Sequence, residues 1–254
     1  MPRDAWTREQ LLCTLALYCQ IPFGKMDQRN PAVVSLAEDL GRTPSAVAFK
    51  LVNLASFDPE LQRRGVRGMA NASRLDREIW DEFYGKWEIL ADHTVVDQAE
   101  RTEPDRLAGA DVPATPPLGP TEVIREVSLR RGQKFFRAAV MAANDGMCCI
   151  TGIASEPLLR ASHIVPWALD PTLRLDPRNG LCLNALHDAA FDRGLITLTE
   201  NLELRISKRL KGEVPSTVYK EMFESRESKP ATIPERFRPT GDMLEFHRAK
   251  VFQP

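Results

Sequence analysis

Leu158-Leu159-Arg160-Ala161-Ser162-His163-Ile164-Val165-Pro166-Trp167 is followed, after a short spacer, by Asp176-Pro177-Arg178-Asn179-Gly180-Leu181-Cys182-Leu183-Asn184-Ala185-Leu186-His187-Asp188-Ala189-Ala190-Phe191-Asp192-Arg193-Gly194, and the reading of the chain turns on these two stretches. The first is an apolar, strand-like run with one histidine inside it. A histidine in such a place, taken alone, is ordinarily a satisfied core residue. Here it is one of a series: His163, then Asn179-Gly180, then His187 on a helical segment. The chain has only four histidines, and two of them fall in this series. That concentration favours a chemical site over coincidence.

In its Ser-His-Ile run and its Asn-Gly-Leu-x-Leu-x-x-x-His-Asp-x-x-Phe-Asp-x-Gly-Leu tail, the stretch resembles the HNH endonuclease family, specifically the restriction-type branch, over residues 130 to 210. The resemblance implies two antiparallel strands and a helix around one divalent metal ion, the ββα-metal fold. It implies roles as well. His163 takes the general-base position, removing a proton from a water that attacks phosphorus, and an ordinary imidazole pKa near 6.5 leaves that base largely neutral at cellular pH. Asn179 takes the position of the loop asparagine that ties the loop to the histidine-bearing strand. His187 takes that of the helical metal ligand, where an ion would stabilise charge on the phosphate and the leaving oxygen.

The sequence departs from the family at Ser162, where many members carry Asp or His as a second metal ligand. A neutral hydroxyl is a poor ligand for a hard cation. Asn184, three residues before His187 on the same helical face, or Asp188 or Asp192, is then expected to help hold the ion. Oxygen and water coordination suits Mg2+ or Mn2+, with Zn2+ and Ni2+ left open by the imidazole. Arg160, Arg178 and Arg193 flank the motif and could grip phosphate through paired hydrogen bonds, solvated surface arginine being the alternative. Arg130, Arg131, Lys134 and Arg137 line a helix that leads into it. The five cysteines, at 13, 19, 148, 149 and 182, contain no CxxC pair. We expect buried free thiols and neither a disulfide framework nor a structural zinc.

Upstream, the pattern is helical. Thr7-Arg8-Glu9-Gln10 is a capping box, and Leu11, Leu12, Leu15 and Tyr18 repeat at helical spacing behind it. A second helix opens at Asn30-Pro31 and stops at Gly41, and a third opens at Thr43-Pro44. Two short helices around a glycine-containing turn match the helix-turn-helix pattern, in which the second helix enters the major groove. Arg42, Ser45, Phe49, Lys50 and Asn53 are then expected near the exposed side of that helix, with Arg63, Arg64 and Arg67 in a following loop suited to phosphate. An ordinary helical bundle with a solvated basic face is the alternative. A further helix over 73–90 carries Leu75, Ile79, Trp80, Phe83 and Trp87 on one core-facing side.

Residues 93–124 lose periodicity and gather Pro113, Pro116, Pro117 and Pro120, the composition of a linker. The expected fold class is therefore α+β: a helical helix-turn-helix-like or winged-helix-like domain (1–92), a flexible linker (93–124), and an HNH nuclease domain with a C-terminal helical extension (125–254). In the extension, a helix near 216–224 and a last helix around Met243, Leu244 and Phe246 should pack on the nuclease core, with His247 structural.

In this 254-residue chain, 43% of residues are hydrophobic and the formal net charge is −1, so composition gives no global signature of a nucleic-acid binder and any such binding must come from local basic patches. No stretch approaches the run of about 20 apolar residues that a membrane helix needs. The N-terminal residues lack the apolar segment of a signal peptide, so the expected location is the cytoplasm. The combined expectation is a metal-dependent endonuclease that cuts double-stranded DNA, with a reader and a cutter domain, in bacterial restriction or defence and plausibly modification-dependent. Two alternatives stand beside it: a non-catalytic DNA-binding regulator with a degenerate HNH module, and a nuclease whose N-terminal domain mediates homodimerisation.

Overall fold

The computed structural model describes residues 5–63, 65, 72–94 and 120–254. They fall into two compact units, one within Met1–Tyr18 and Phe23–Phe135, the other within Cys19–Pro22 and Phe136–Pro254. The class is α+β, rich in helix, with two small two-stranded sheets, both in the second unit.

The first unit is helical, with no strand among its described residues, so nothing there corresponds to a wing. Helix α1 (Arg8–Gln20) opens as its capping box predicts: the Thr7 amide donates to Gln10 Oε1 and the Gln10 amide to Thr7 Oγ1, both at 3.2 Å. Helix α2 (Pro31–Asp39) is capped by Asn30, which accepts from the Ala32 amide, and α3 (Pro44–Ala55) by Thr43, which accepts from the Ala46 amide. Between them Gly41 takes φ +61°, a left-handed conformation that reverses the chain at little steric cost to glycine. Leu11, Leu15, Val33, Leu36, Val47, Leu51, Leu54, Ile79 and Leu90 form the core. A short α4 (Pro59–Arg63) follows α3.

The helix expected over 73–90 is two helices, α5 (Arg74–Phe83) and α6 (Trp87–Asp92). Gly85, at φ +93°, breaks the run. Two residues expected on the exposed side of α3 are buried. The Lys50 ammonium donates to both Asp76 oxygens, at 2.7 and 2.9 Å, in an ion pair at the start of α5. Asn53 is 1% exposed. Both lie on the side of α3 that the α5 packing covers or the core claims, a side that helical spacing alone could not tell from the solvated one.

Helix α7 (Pro120–Ala143) begins inside the stretch read as linker, with proline at its first position, where a missing N–H leaves nothing unsatisfied. Residues 95–119, which hold the rest of that stretch, lie outside the described residues. In the second unit, β1 (Leu159–His163) pairs antiparallel with β2 (Gly180–Asn184), in a register that sets Ser162 opposite Leu181 and His163 opposite Gly180. Helix α8 (Ala185–Asp192) follows β2 without a loop because Asn184 is also its N-cap. This is the ββα unit. A second hairpin, β3 (Ile196–Leu198) with β4 (Leu204–Ile206), leads to α9 (Leu210–Glu213), α10 (Ser216–Val218), a π-helical turn at Tyr219–Phe223, and α11 (Gly241–Lys250).

The unit's core gathers Phe136, Val140, Leu159, Ile164, Leu181, Leu183, Phe191, Ile196, Phe223 and Leu244. All five residues of β2 are buried, so this strand is covered on both faces. His247 packs α11 onto the rest: its ring stacks on Phe191 with centroids 3.7 Å apart, Nδ1 meets Thr197 Oγ1 at 2.9 Å and Nε2–H donates to the Phe191 carbonyl at 3.2 Å. No described helix is long and apolar enough to cross a membrane.

Candidate active site

Successive side chains of a strand point to opposite faces, and β1 uses this to separate two neighbours. Ser162 faces α8, while His163 faces α7. The His163 ring stacks on Phe136, with centroids 3.9 Å apart and planes within 7°. The Trp167 ring stands perpendicular to it, with centroids 5.5 Å apart. His163 Nε2 lies 3.0 Å from the carbonyl oxygen of Arg174, which can only accept, so Nε2 carries the proton. Nδ1 then holds the lone pair and has no protein hydrogen-bond partner among the described residues. Burial lowers the imidazole pKa below its ordinary 6.5, opposed by the carbonyl bond. The result is a neutral imidazole, with one nitrogen anchored and the other able to accept a proton.

Asn179, 1% exposed, closes the loop that leaves β1. Its Oδ1 accepts from the Val165 amide at 2.8 Å, and its Nδ2 donates to the carbonyls of Val165 and Leu173 at 3.1 and 3.2 Å. The Asn179 carbonyl also accepts from the Ile164 amide at 2.9 Å. Both ends of the loop are thus tied to one side chain. The segment that carries the Arg174 carbonyl is held at a fixed distance from His163.

His187 departs from the expected role. It is fully buried and both ring nitrogens are engaged: Nδ1 accepts from Asn184 Nδ2 at 2.8 Å, and Nε2–H donates to the Met222 carbonyl at 2.9 Å. Asn184 is equally occupied, since its Oδ1 caps α8 by accepting from the Leu186 and His187 amides and its Nδ2 also donates to Thr151 Oγ1. Desolvation pushes the His187 pKa down to about 4. In this arrangement the expected ligand pair does not fit a metal ion, because neither residue has a lone pair left to give. The cause is distant in sequence: the C-terminal extension brings the Met222 carbonyl onto the ring. Among the described residues no group of three or more His, Cys, Asp or Glu is placed to hold a metal ion.

On the α8 side of β1, Ser162 Oγ donates to Asp192 Oδ1 at 3.5 Å and lies within hydrogen-bonding reach of Asp188. Burial raises the Asp188 pKa, while the Ser162 hydroxyl and the nearby Arg160 guanidinium oppose the rise. Arg160 also donates to the carbonyls of Pro157 and Leu159. Arg178 is spent on Asp176 in a two-pronged pair at 2.6 to 3.0 Å that stiffens the turn before Asn179. Arg193 donates to the Ala189 carbonyl within α8. Cys148, Cys149 and Cys182 are buried free thiols, and burial holds Cys182 up at about 12.

In the first unit, Ser45 and Phe49 are exposed on α3, whereas Lys50 and Asn53 are not. Arg42 donates to the Ala5 carbonyl and to Gln10 Oε1 and stacks over Trp6 at 5.0 Å, so it fastens the turn to α1. Arg63 is exposed at the end of α4, 3.9 Å from Glu60. Arg64 and Arg67 lie outside the described residues. Sequence reasoning missed Phe136, Trp167 and Arg174 around His163. The paired Phe135-Phe136 in the basic helix was the available signal for the first, and nothing in the loop marked Arg174, since it acts through its backbone.

The site is thus a strand pair and a following helix, with the anchored His163 ring on the first strand. Residues 148–199 match the model of the HNH endonuclease family, HNH_2. The match supports a nuclease module acting on nucleic acid. No curated protein matches the chain.

Proposed function

We propose that the second unit hydrolyses phosphodiester bonds in double-stranded DNA, with His163 as the general base. The observation that carries this reading is the state of His163, a neutral ring anchored through Nε2–H on the Arg174 carbonyl with Nδ1 left to take a proton from water. Asn179 supports the base by holding both ends of the loop that bears that carbonyl. Divalent ions serve HNH nucleases generally, and Mg2+ or Mn2+ is the first choice here, with Zn2+ and Ni2+ as alternatives. No step is assigned to an ion, because His187 and Asn184 are engaged elsewhere.

The first unit reads as the DNA-selecting part, with Ser45 and Phe49 on the exposed side of the second helix of a helix-turn-helix-like pair and Arg63 toward phosphate. Together the units suit a bacterial restriction or defence nuclease, with selection by DNA modification. The test is incubation of the full chain with supercoiled plasmids from hosts that differ in DNA modification, with each of the four ions. Nicking that is lost in His163→Ala, with DNA binding retained, is the expected result. No nicking under any condition sinks the reading.

A second reading has its own support. Ser162 in place of a charged ligand and the doubly bonded ring of His187 fit a DNA-binding regulator with a degenerate HNH module. DNA binding without nicking in the same experiment selects it.

A further inference from the structure

The face of His163 is covered by an aromatic ring from another element, and that ring is there because of a residue that has no side chain. Gly180 stands opposite His163 in the β1–β2 register. Its φ of −125° is one any residue adopts, so the glycine answers a need for space and not for conformation. A Cβ at this position would meet Val140 Cγ2 at 2.3 Å and Phe136 Cζ at 2.9 Å. Real Cβ atoms do not approach so closely, and in a close-packed core both side chains would have to move.

We propose that Phe136 is a positioning residue for His163: admitted by the bare backbone of Gly180, it holds the imidazole in the plane that keeps Nε2–H on the Arg174 carbonyl and leaves Nδ1 as the nitrogen that takes the proton. Three contacts, one from α7 and two from the loop between β1 and β2, define that plane. Phe136 of α7 lies parallel to the ring at 3.9 Å, Trp167 stands perpendicular to it at 5.5 Å, and the Arg174 carbonyl receives Nε2–H at 3.0 Å. The last two belong to one loop and brace each other, since Arg174 Nε donates to the Trp167 carbonyl at 2.8 Å and its guanidinium lies over the indole. The loop supplies the perpendicular ring and the hydrogen bond. Phe136 supplies the flat parallel cover on one face, which together with the carbonyl bond opposes rotation of the imidazole about its Cβ–Cγ bond. A rotated ring loses the carbonyl, and either nitrogen can then carry the proton.

The kinetic arm of the test rests on the nuclease reading above, and the spectroscopic arm does not. Ring nitrogen chemical shifts of His163 in the full-length protein should show a single Nε2–H tautomer. Phe136→Leu keeps an apolar side chain but removes the flat face, and it should give a mixture of tautomers. It should also lower kcat for plasmid nicking by about tenfold or more, with KM for DNA nearly unchanged. If Phe136→Leu does not fold, Gly180→Ala in a Val140→Ala background displaces the phenyl ring while keeping it in the chain, and the same two changes are expected. An unchanged tautomer in a folded variant overturns the proposal, even when kcat falls, because a merely structural role gives that result. A wild-type protein that does not nick DNA removes the nuclease reading, while the tautomer still decides the role of Phe136.

Discussion

His187 and Met222 are joined by a hydrogen bond across 35 residues, the ring Nε2–H donating to the carbonyl at 2.9 Å. The carbonyl belongs to the π-helical turn Tyr219–Phe223, and π-turns interrupt the regular i→i+4 bonding of a helix. The same ring lies against Phe223, 4.9 Å between centroids. The histidine that the motif marks for a metal therefore fastens the C-terminal extension to α8.

Removing that ring should read out as loosening, with no change in ion affinity. His187→Ala leaves the Met222 carbonyl and Asn184 Nδ2 short of a partner and opens a void beside Phe223, a combination expected to destabilise by about 3 kcal/mol. Hydrogen exchange should speed up through residues 216–226, and Mn2+ affinity should match the wild type. A large loss of Mn2+ affinity with intact protection would reassign His187 to the metal.

Acid should destabilise the second unit. His187 and His247 both sit near a pKa of about 4 when folded, against 6.5 ordinarily, because burial penalises the charged ring. The unfolded chain binds more protons between those values. Stability is thus fully present above pH 6.5 and drains away as pH falls toward 4, by on the order of a few kcal/mol for each ring. Thermal melts followed by circular dichroism at neutral pH and near pH 5 measure this, and a melting temperature independent of pH would contradict it.

Cleavage should follow the titration of His163. Its pKa is lowered from 6.5 by burial, so the rate should rise with pH through a midpoint below 6.5 and stay level above it. Initial nicking rates across this range supply the test. A midpoint at or above 6.5 would mean that the ring is solvated during the reaction.

Lys50 should matter to stability and not to DNA. Lys50→Met abandons the buried Asp76 carboxylate, which is 0% exposed, and stranding such a charge costs about 3–5 kcal/mol. Urea denaturation should show the loss, while DNA affinity of the folded variant at low temperature stays as in the wild type. A variant of undiminished stability with weak DNA binding would return Lys50 to the interface.

Among the described residues the Asn53 amide has no hydrogen-bond partner on either Nδ2 or Oδ1. Asn53→Leu, which keeps the same branched shape, should raise the urea midpoint, since a buried unmatched polar group costs about 1–3 kcal/mol. A lower midpoint would count against an unmatched amide at this position.

Local signals were legible where local chemistry decides the outcome. The Thr7–Gln10 capping box, the Asn30 and Thr43 caps and the reversal at Gly41 lie within a few residues of their partners, and each forms as its residue types require. The strand pair and the following helix came from the resemblance of the Ser-His-Ile and Asn-Gly-Leu stretches to the HNH family. Gly85 was legible too, and the aromatic periodicity across it hid the break it makes. What could not be read depends on distance. Lys50 shows a basic side chain to any helical wheel, and only Asp76, 26 residues on, turns it inward. Phe136 looks like one more core aromatic until the strand register sets Gly180 beside it. The engagement of His187 depends on a carbonyl in a segment with no motif of its own.

The bonds of Asn179 to Val165 and Leu173 make the loop between the two strands a cassette with a sealed neck. Exposed residues such as Leu169, Pro171 and Thr172 sit beyond that seal. Changes of length there that leave Trp167 and Arg174 in place would be absorbed by the outer part of the cassette without reaching the imidazole. Such a loop can vary in what it touches while the chemistry beneath it stays in place.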